Sequence, residues 1–181
     1  MANLKAFRQY SEHDVVNLFS LTGNGITLPF NKGTLVSVDG DGWQNDDDHN
    51  NLVMAGNPGQ SYDNTVSQRY GVPACVTVAL TGDNILGITL YDVKETDENG
   101  EKLIFNPRKA AELQAVVSGQ AVPVMTKGVV LYNGVGGTPA AGGAAYAATN
   151  GIITATQGGN VVGKFLGVKD ADGNVLVKIE L

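Results

Sequence analysis

Gly163-Lys164-Phe165-Leu166-Gly167-Val168-Lys169 and Val175-Leu176-Val177-Lys178-Ile179 flank a turn at Asp172-Gly173-Asn174. The turn residues tolerate positive φ, and both flanks are short apolar runs of the kind that pleated strands favour. The segment therefore reads as a C-terminal β-hairpin. The same pattern extends upstream, where apolar runs of four to eight residues, rich in Val, Ile, Thr and Tyr, are closed by Gly, Asn or Asp. Strands are predicted over Gly33–Asp39, Ala74–Leu80, Ile85–Val93, Ala115–Met125, Gly128–Tyr132, Gly151–Thr156, Gly163–Lys169 and Asn174–Leu181. Turns fall at Asp39-Gly40-Asp41-Gly42, Gly82-Asp83-Asn84, Glu98-Asn99-Gly100 and Asn150-Gly151.

One short helix is predicted near 107–114, because Asn106 offers a cap, Pro107 suits a first turn, and Arg108 to Gln114 are good helix formers. Ser11 to Phe19 fits either a helix opened by a Ser11/Asp14 capping box or a strand, since its apolar residues satisfy both periods. The fold expected is mainly β: a barrel- or sandwich-like domain over 21–181, preceded by an N-terminal arm or first element over 1–20. Two subdomains meeting near 100–115 would also fit. Asn84-Ile85-Leu86-Gly87-Ile88 and the acidic turn after it resemble Asn160-Val161-Val162-Gly163-Lys164 and its own acidic turn, about 76 residues later. A glycine inside a strand usually marks a bulge or sharp bend.

Length and charge limit the partners. A chain of 181 residues is long enough to bury a self-sufficient core. Eighteen acidic against twelve basic residues give a net charge of −6, a field that repels phosphate backbones and anionic lipid. No nucleic acid and no membrane partner is expected. The stretch from Gly128 to Gly163 is uncharged but built of Gly, Ala, Thr and Asn, too polar for lipid. Met1 to Arg8 has basic residues without an apolar segment behind them, so a secretory signal is not expected. The single Cys75 forbids an internal disulfide.

The residues that could carry chemistry do not converge. His13 lies between Glu12 and Asp14, and His49 follows Asp46-Asp47-Asp48, but adjacent residues point in different directions along a helix or strand. From Asp39 to Asp48 there are five carboxylates. A helix-flanked calcium loop beginning at Asp39 needs Asp or Asn at its fifth position, Gly at its sixth and Glu at its twelfth, where Trp43, Gln44 and Asn50 stand. A solvated acidic loop anchored by Trp43 is the better reading. Cys75 lies in an apolar run and reads as core; no Gly-x-Ser-x-Gly elbow exists, and Gly134-Val135-Gly136-Gly137 does not lead into a phosphate-binding Lys-Ser/Thr. No catalytic residue, no metal and no cofactor is expected.

Composition is the unusual feature. From Gly128 to Gly163 there are 36 residues without Asp, Glu, Lys or Arg, and 12 of the 18 from Gly134 to Gly151 are Gly or Ala. Interface centres are depleted of charge, so this region reads as facing another protein, with a small polar loop as the alternative.

The order of Phe7-Arg8-Gln9-Tyr10-Ser11-Glu12-His13-Asp14-Val15-Val16-Asn17, Asn31-Lys32-Gly33-Thr34-Leu35-Val36, Asn106-Pro107-Arg108-Lys109-Ala110-Ala111-Glu112-Leu113 and Ser118-Gly119-Gln120-Ala121-Val122-Pro123-Val124 resembles head decoration (capsid cement) proteins of tailed bacteriophages. The ending is similar to the terminal β-hairpin of small phage decoration modules. The resemblance implies a structural protein without enzymatic activity, made in the host cytoplasm and placed on the outer surface of the virion capsid. It would cement neighbouring major capsid subunits against internal DNA pressure, often as a homotrimer at local threefold positions. Leu4, Lys5, Phe7, Arg8 and Tyr10, which mix aromatic and basic groups, become the expected capsid contacts. Ala144, Tyr146 and Ala147, in the uncharged stretch, become the expected contacts between copies. The alternative is a host-attachment appendage module that binds carbohydrate through exposed aromatics.

Overall fold

The computed structural model describes residues 3–6, 14–21, 30–39, 42 and 74–181. In chain order the elements are β1 (Asn3–Ala6), β2 (Val15–Val16), β3 (Ser20–Leu21), β4 (Leu35–Val38), β5 (Cys75–Val78), β6 (Ile85–Thr89), β7 (Asp92–Val93), α1 (Pro107–Glu112), β8 (Ala115–Val116), β9 (Val124–Met125), β10 (Lys127–Asn133), β11 (Ala144–Ala148), β12 (Ile152–Thr154), β13 (Val161–Phe165) and β14 (Asn174–Glu180). The fold is mainly β with a short helix and a C-terminal hairpin, as the sequence predicts. One six-stranded sheet has the order β1-β10-β14-β13-β11-β12, a second β2-β9-β6-β4-β5-β3, and β7 pairs with β8.

The two large sheets stack. Along β10 and β14, Val130, Tyr132, Val175, Val177 and Ile179 turn inward and are buried, while Val129, Leu131, Leu176 and Lys178 alternate onto the opposite face. Leu35, Ile88 and Met125 of the second sheet meet that inner face in one apolar cluster. Their neighbours Val36, Val76 and Val124 point the other way, into a cluster with Phe19, Leu21, Val93 and Val122. The second sheet is thus buried on both sides and forms the middle layer. A third cluster packs Ala110 and Leu113 against Leu103, Ala115 and Val117. Complete burial of each Val, Leu or Ile contributes about 1.5–3 kcal/mol.

Several predicted elements change in detail. Ser11 to Phe19 resolves toward strand: Val15–Val16 pairs with Val124–Met125, while residues 11–13 lie outside the described residues. The run Ile85–Val93 divides at Leu90 and Tyr91. The run Ala115–Met125 divides because Gln120 N–H bonds the Val117 carbonyl (3.0 Å), closing a turn before Pro123. Asn106 does not cap α1 with its side chain; Pro107 opens the helix without that bond. Ala144–Ala148, read from sequence as an uncharged contact region, is a strand.

The internal repeat has a structural counterpart. In β6, Gly87 faces Val36 and Ile85 faces Ser37, so Leu86 is an extra, bulged residue; in β13, Gly163 faces Ala145 and Val161 faces Tyr146, so Val162 is bulged in the same way. Both glycines lie against the next strand. A Cβ on Gly87 would stand 2.5 Å from the Met125 carbonyl oxygen, and one on Gly163 would overlap that of Lys178. The orders β5-β4-β6-β9 and β12-β11-β13-β14 therefore match strand for strand.

Candidate functional site

Among the described residues no three His, Cys, Asp or Glu side chains gather to hold a metal ion, and no helix is long and apolar enough to cross a membrane. His13, His49, Trp43 and the acidic segment from Asp41 to Asp48, Gly42 excepted, lie outside the described residues. Cys75 is half-buried on β5 rather than fully enclosed, with its Sγ 3.6 Å from Ser20 Oγ. The described residues present three distinct surfaces.

The broad one is the outer face of the first sheet. Its registers set Lys127 opposite Glu180, Val129 opposite Lys178, Leu131 opposite Leu176, and Lys164 opposite both Lys178 and Ala144. Lys178 Nζ lies 2.6 Å from Glu180 Oε2, and Lys127 Nζ 3.9 Å from Oε1. Lys178, then Lys127 and Lys164, hold the Glu180 carboxyl below the usual carboxylate range. Beyond β13 the face loses charge: Tyr146 opposes Val161 and Thr154, and Ala148 opposes Ile152.

A second surface lies at the hairpin end. Lys169 Nζ donates to the carbonyls of Val135 and Gly137, each at 2.9 Å, and Gly142 N–H donates to the Phe165 carbonyl at 2.8 Å. These bonds hold the uncharged loop 134–143 against β13, beside exposed Leu166 and Val168. The neighbouring turn is closed by Asp170, whose carboxylate accepts from Asp172 N–H and Asn174 N–H. Hydrogen bonds from Asn174 keep its pKa below the ordinary value.

The third surface surrounds α1. Asp97, its side chain fully shielded, accepts from the backbone N–H groups of Asn99 and Glu101, both at 2.8 Å, and forms an ion pair with Lys109. Lys109 lowers the Asp97 pKa, and Asp97 raises that of Lys109. This pairing fastens the 95–101 turn to the helix, while Phe105, 76% exposed, and Ile104 project beside it.

The residues singled out from sequence fall differently. Leu4 and Lys5 lie in β1, at the register positions opposite Tyr132 and Leu131; Phe7, Arg8 and Tyr10 lie outside the described residues. Ala144 and Tyr146 are half-buried on the outer face, whereas Ala147, 1% exposed, turns into the core. Sequence reasoning passed over Lys164, Lys178 and Phe105. The alternation of Val175, Val177 and Ile179 with Leu176 and Lys178 could have found the lysine face. No periodicity marks Phe105.

Stacked sheets with tightly closed turns and broad outer surfaces define a mainly β protein. Residues 17–181 match the family model described as structural cement protein (E217 gp24/Pam3 gp6), and the chain belongs to this phage structural cement protein family. No curated protein and no solved structure matches it. A structural role in the virion capsid follows from that membership.

Proposed function

We propose that this chain binds the outside of the phage head, spans junctions between neighbouring major capsid subunits, and holds them against the pressure of packed DNA. The observation that carries the reading is the cement-family match over residues 17–181. The stacking of the two large sheets supports it, since a closely packed sheet transmits load between points of attachment without rearranging. Many modest contacts repeated over a lattice hold strongly through valency. No catalysis, nucleic acid or membrane enters this role.

The chain acts as a trimer at local threefold positions, made in the host cytoplasm and added to the exterior of the shell. Residues 21–181 work as one domain. The first residues contact the shell through Leu4, Lys5, Phe7, Arg8 and Tyr10. The uncharged half of the outer face, with Ala144 and Tyr146, meets sister copies, while Ala147 supports that half from the core side. Heads assembled without this protein should leak DNA at lower temperature or ionic strength than complete heads. Equal robustness of the two particles would remove the cement role.

A further inference from the structure

The outer face of the first sheet is divided, and its lysine half is anomalous for a chain of net charge −6. Lys127, Lys164 and Lys178 share it with one acid, Glu180, so the described patch carries three positive charges against one negative. Lys164 stands directly opposite Lys178, and like charges in that position weaken a sheet. Glu180 is engaged by Lys178 and Lys127, leaving Lys164 without a carboxylate within 4 Å among the described residues. Val129, opposite Lys178, and Leu176, two residues before it on β14, are half-buried beside the lysines.

The repeat shows what this face corresponds to. Aligning Gly87 with Gly163 sets Leu35, Ile88 and Met125 of the first copy on Ala144, Lys164 and Lys178 of the second. In the first copy those positions are fully buried beneath the stacked sheet. The second copy keeps the strand pairing and register of the first and exchanges two of its apolar groups for ammonium groups. Such a surface suits reversible electrostatic docking better than permanent burial.

We propose that the lysine half of this face, centred on Lys164 and Lys178, docks onto carboxylates presented by the shell protein. The inference rests on the cement reading above and deepens it by naming the surface and the partner chemistry. The unmatched Lys164 is completed by acidic groups of the partner, and Val129 and Leu176 supply apolar contact beside the charges.

The test is uptake of purified full-length protein by heads lacking it, measured at about 50 and 300 mM salt to vary screening. Lys164→Glu replaces a like-charged cross-strand pair by an opposite one, so its unfolding temperature should be unchanged or up to about 3 °C higher. Its binding to heads should nevertheless fall by about tenfold or more at the lower salt, with a smaller fall for Lys164→Gln. Lys102→Glu, on the turn before α1, should bind like the parent protein. Full-strength binding by Lys164→Glu overturns the proposal, as does a change in its native mass, which would make the face a junction between copies. If the parent protein itself fails to bind heads, the cement reading falls and this inference with it; parent binding with unaffected variants removes the inference alone.

Discussion

Tyr132 is the largest fully buried side chain among the described residues, and its hydroxyl has no hydrogen-bond partner of good geometry, only a weak contact with the Ile153 backbone. Burial pushes its pKa up to about 12, opposed slightly by the Ile153 backbone. A buried hydroxyl without a partner contributes nothing to offset its lost hydration. Tyr132→Phe should therefore leave stability within about 1 kcal/mol of the parent or raise it, by denaturant unfolding. The pH dependence has a definite sign. The folded pKa exceeds the unfolded value near 10, so stability is intact below pH 10 and is lost as pH rises toward about 12. The Phe variant should withstand alkali better than the parent over that interval. Ala147 gives the opposite expectation at the same scale. Ala147→Asp would put a charge among Ile153, Val162 and Phe165 and should destabilise the fold by more than about 4 kcal/mol, with loss of near-UV dichroism. If Ala147→Asp stays folded, the orientation of β11 is wrong.

At the scale of elements, the Asp97–Lys109 pair makes a local prediction. The folded pKa of Asp97 is depressed, so its contribution is present above the unfolded value near 3.9 and is lost as pH falls through the lower folded value. Acid should open the 95–101 turn and release α1. Asp97→Asn should reproduce part of this at neutral pH, read as faster hydrogen exchange at Asn99 and Glu101, whose N–H groups the carboxylate holds. Unchanged exchange at both amides would show that the turn does not depend on the pair.

The elements also show how far sequence carried the reading. Strands β4, β5, β6, β10, β13 and β14 were legible because Val, Ile, Leu and Thr run between turn residues, and Pro107 marked α1. Ala144–Ala148 was not, because alanine neither favours strands nor reveals which face is apolar: Ala145 and Ala147 are core while Ala144 and Ala148 are not. β1 was hidden for a related reason. Asn3-Leu4-Lys5-Ala6 has no strand signature of its own, and its pairing is supplied by β10, more than 120 positions away. The glycines of the two similar segments did announce their bulges, since the close neighbouring carbonyl admits no other residue. The docking face was half legible: its charge pattern is in the sequence, but only register shows Lys164 opposite Lys178.

Among the described residues, the repeated strand order makes the second sheet a layer that is covered on both sides and the first sheet a layer covered on one. A glycine at the shared bulge is a common requirement of both. Gly163→Ala should cost about 3 kcal/mol or more, because the added methyl overlaps the Lys178 backbone and neither strand can yield without breaking the ladder. Equilibrium unfolding of Gly163→Ala and Gly87→Ala, compared with a substitution at exposed Gly158, checks this. A loss below about 0.5 kcal/mol at Gly163 would mean that the strands relax apart, contrary to the tight packing described.

The place of β14 has a consequence in time. It is the last described strand in the chain, yet it fills an interior slot between β10 and β13. A nascent polypeptide can pair β11, β12 and β13 as they emerge, but β10 and β13 cannot be joined until residues 174–180 have been synthesised. Leu176 and Lys178 of the docking face arrive in the same step. Chains that stop short of residue 174 therefore lack both the joined sheet and the proposed docking face. A chain ending at Gly173 should sediment as aggregate and leave heads bare, whereas a soluble, head-binding truncation would show that β14 is dispensable for both.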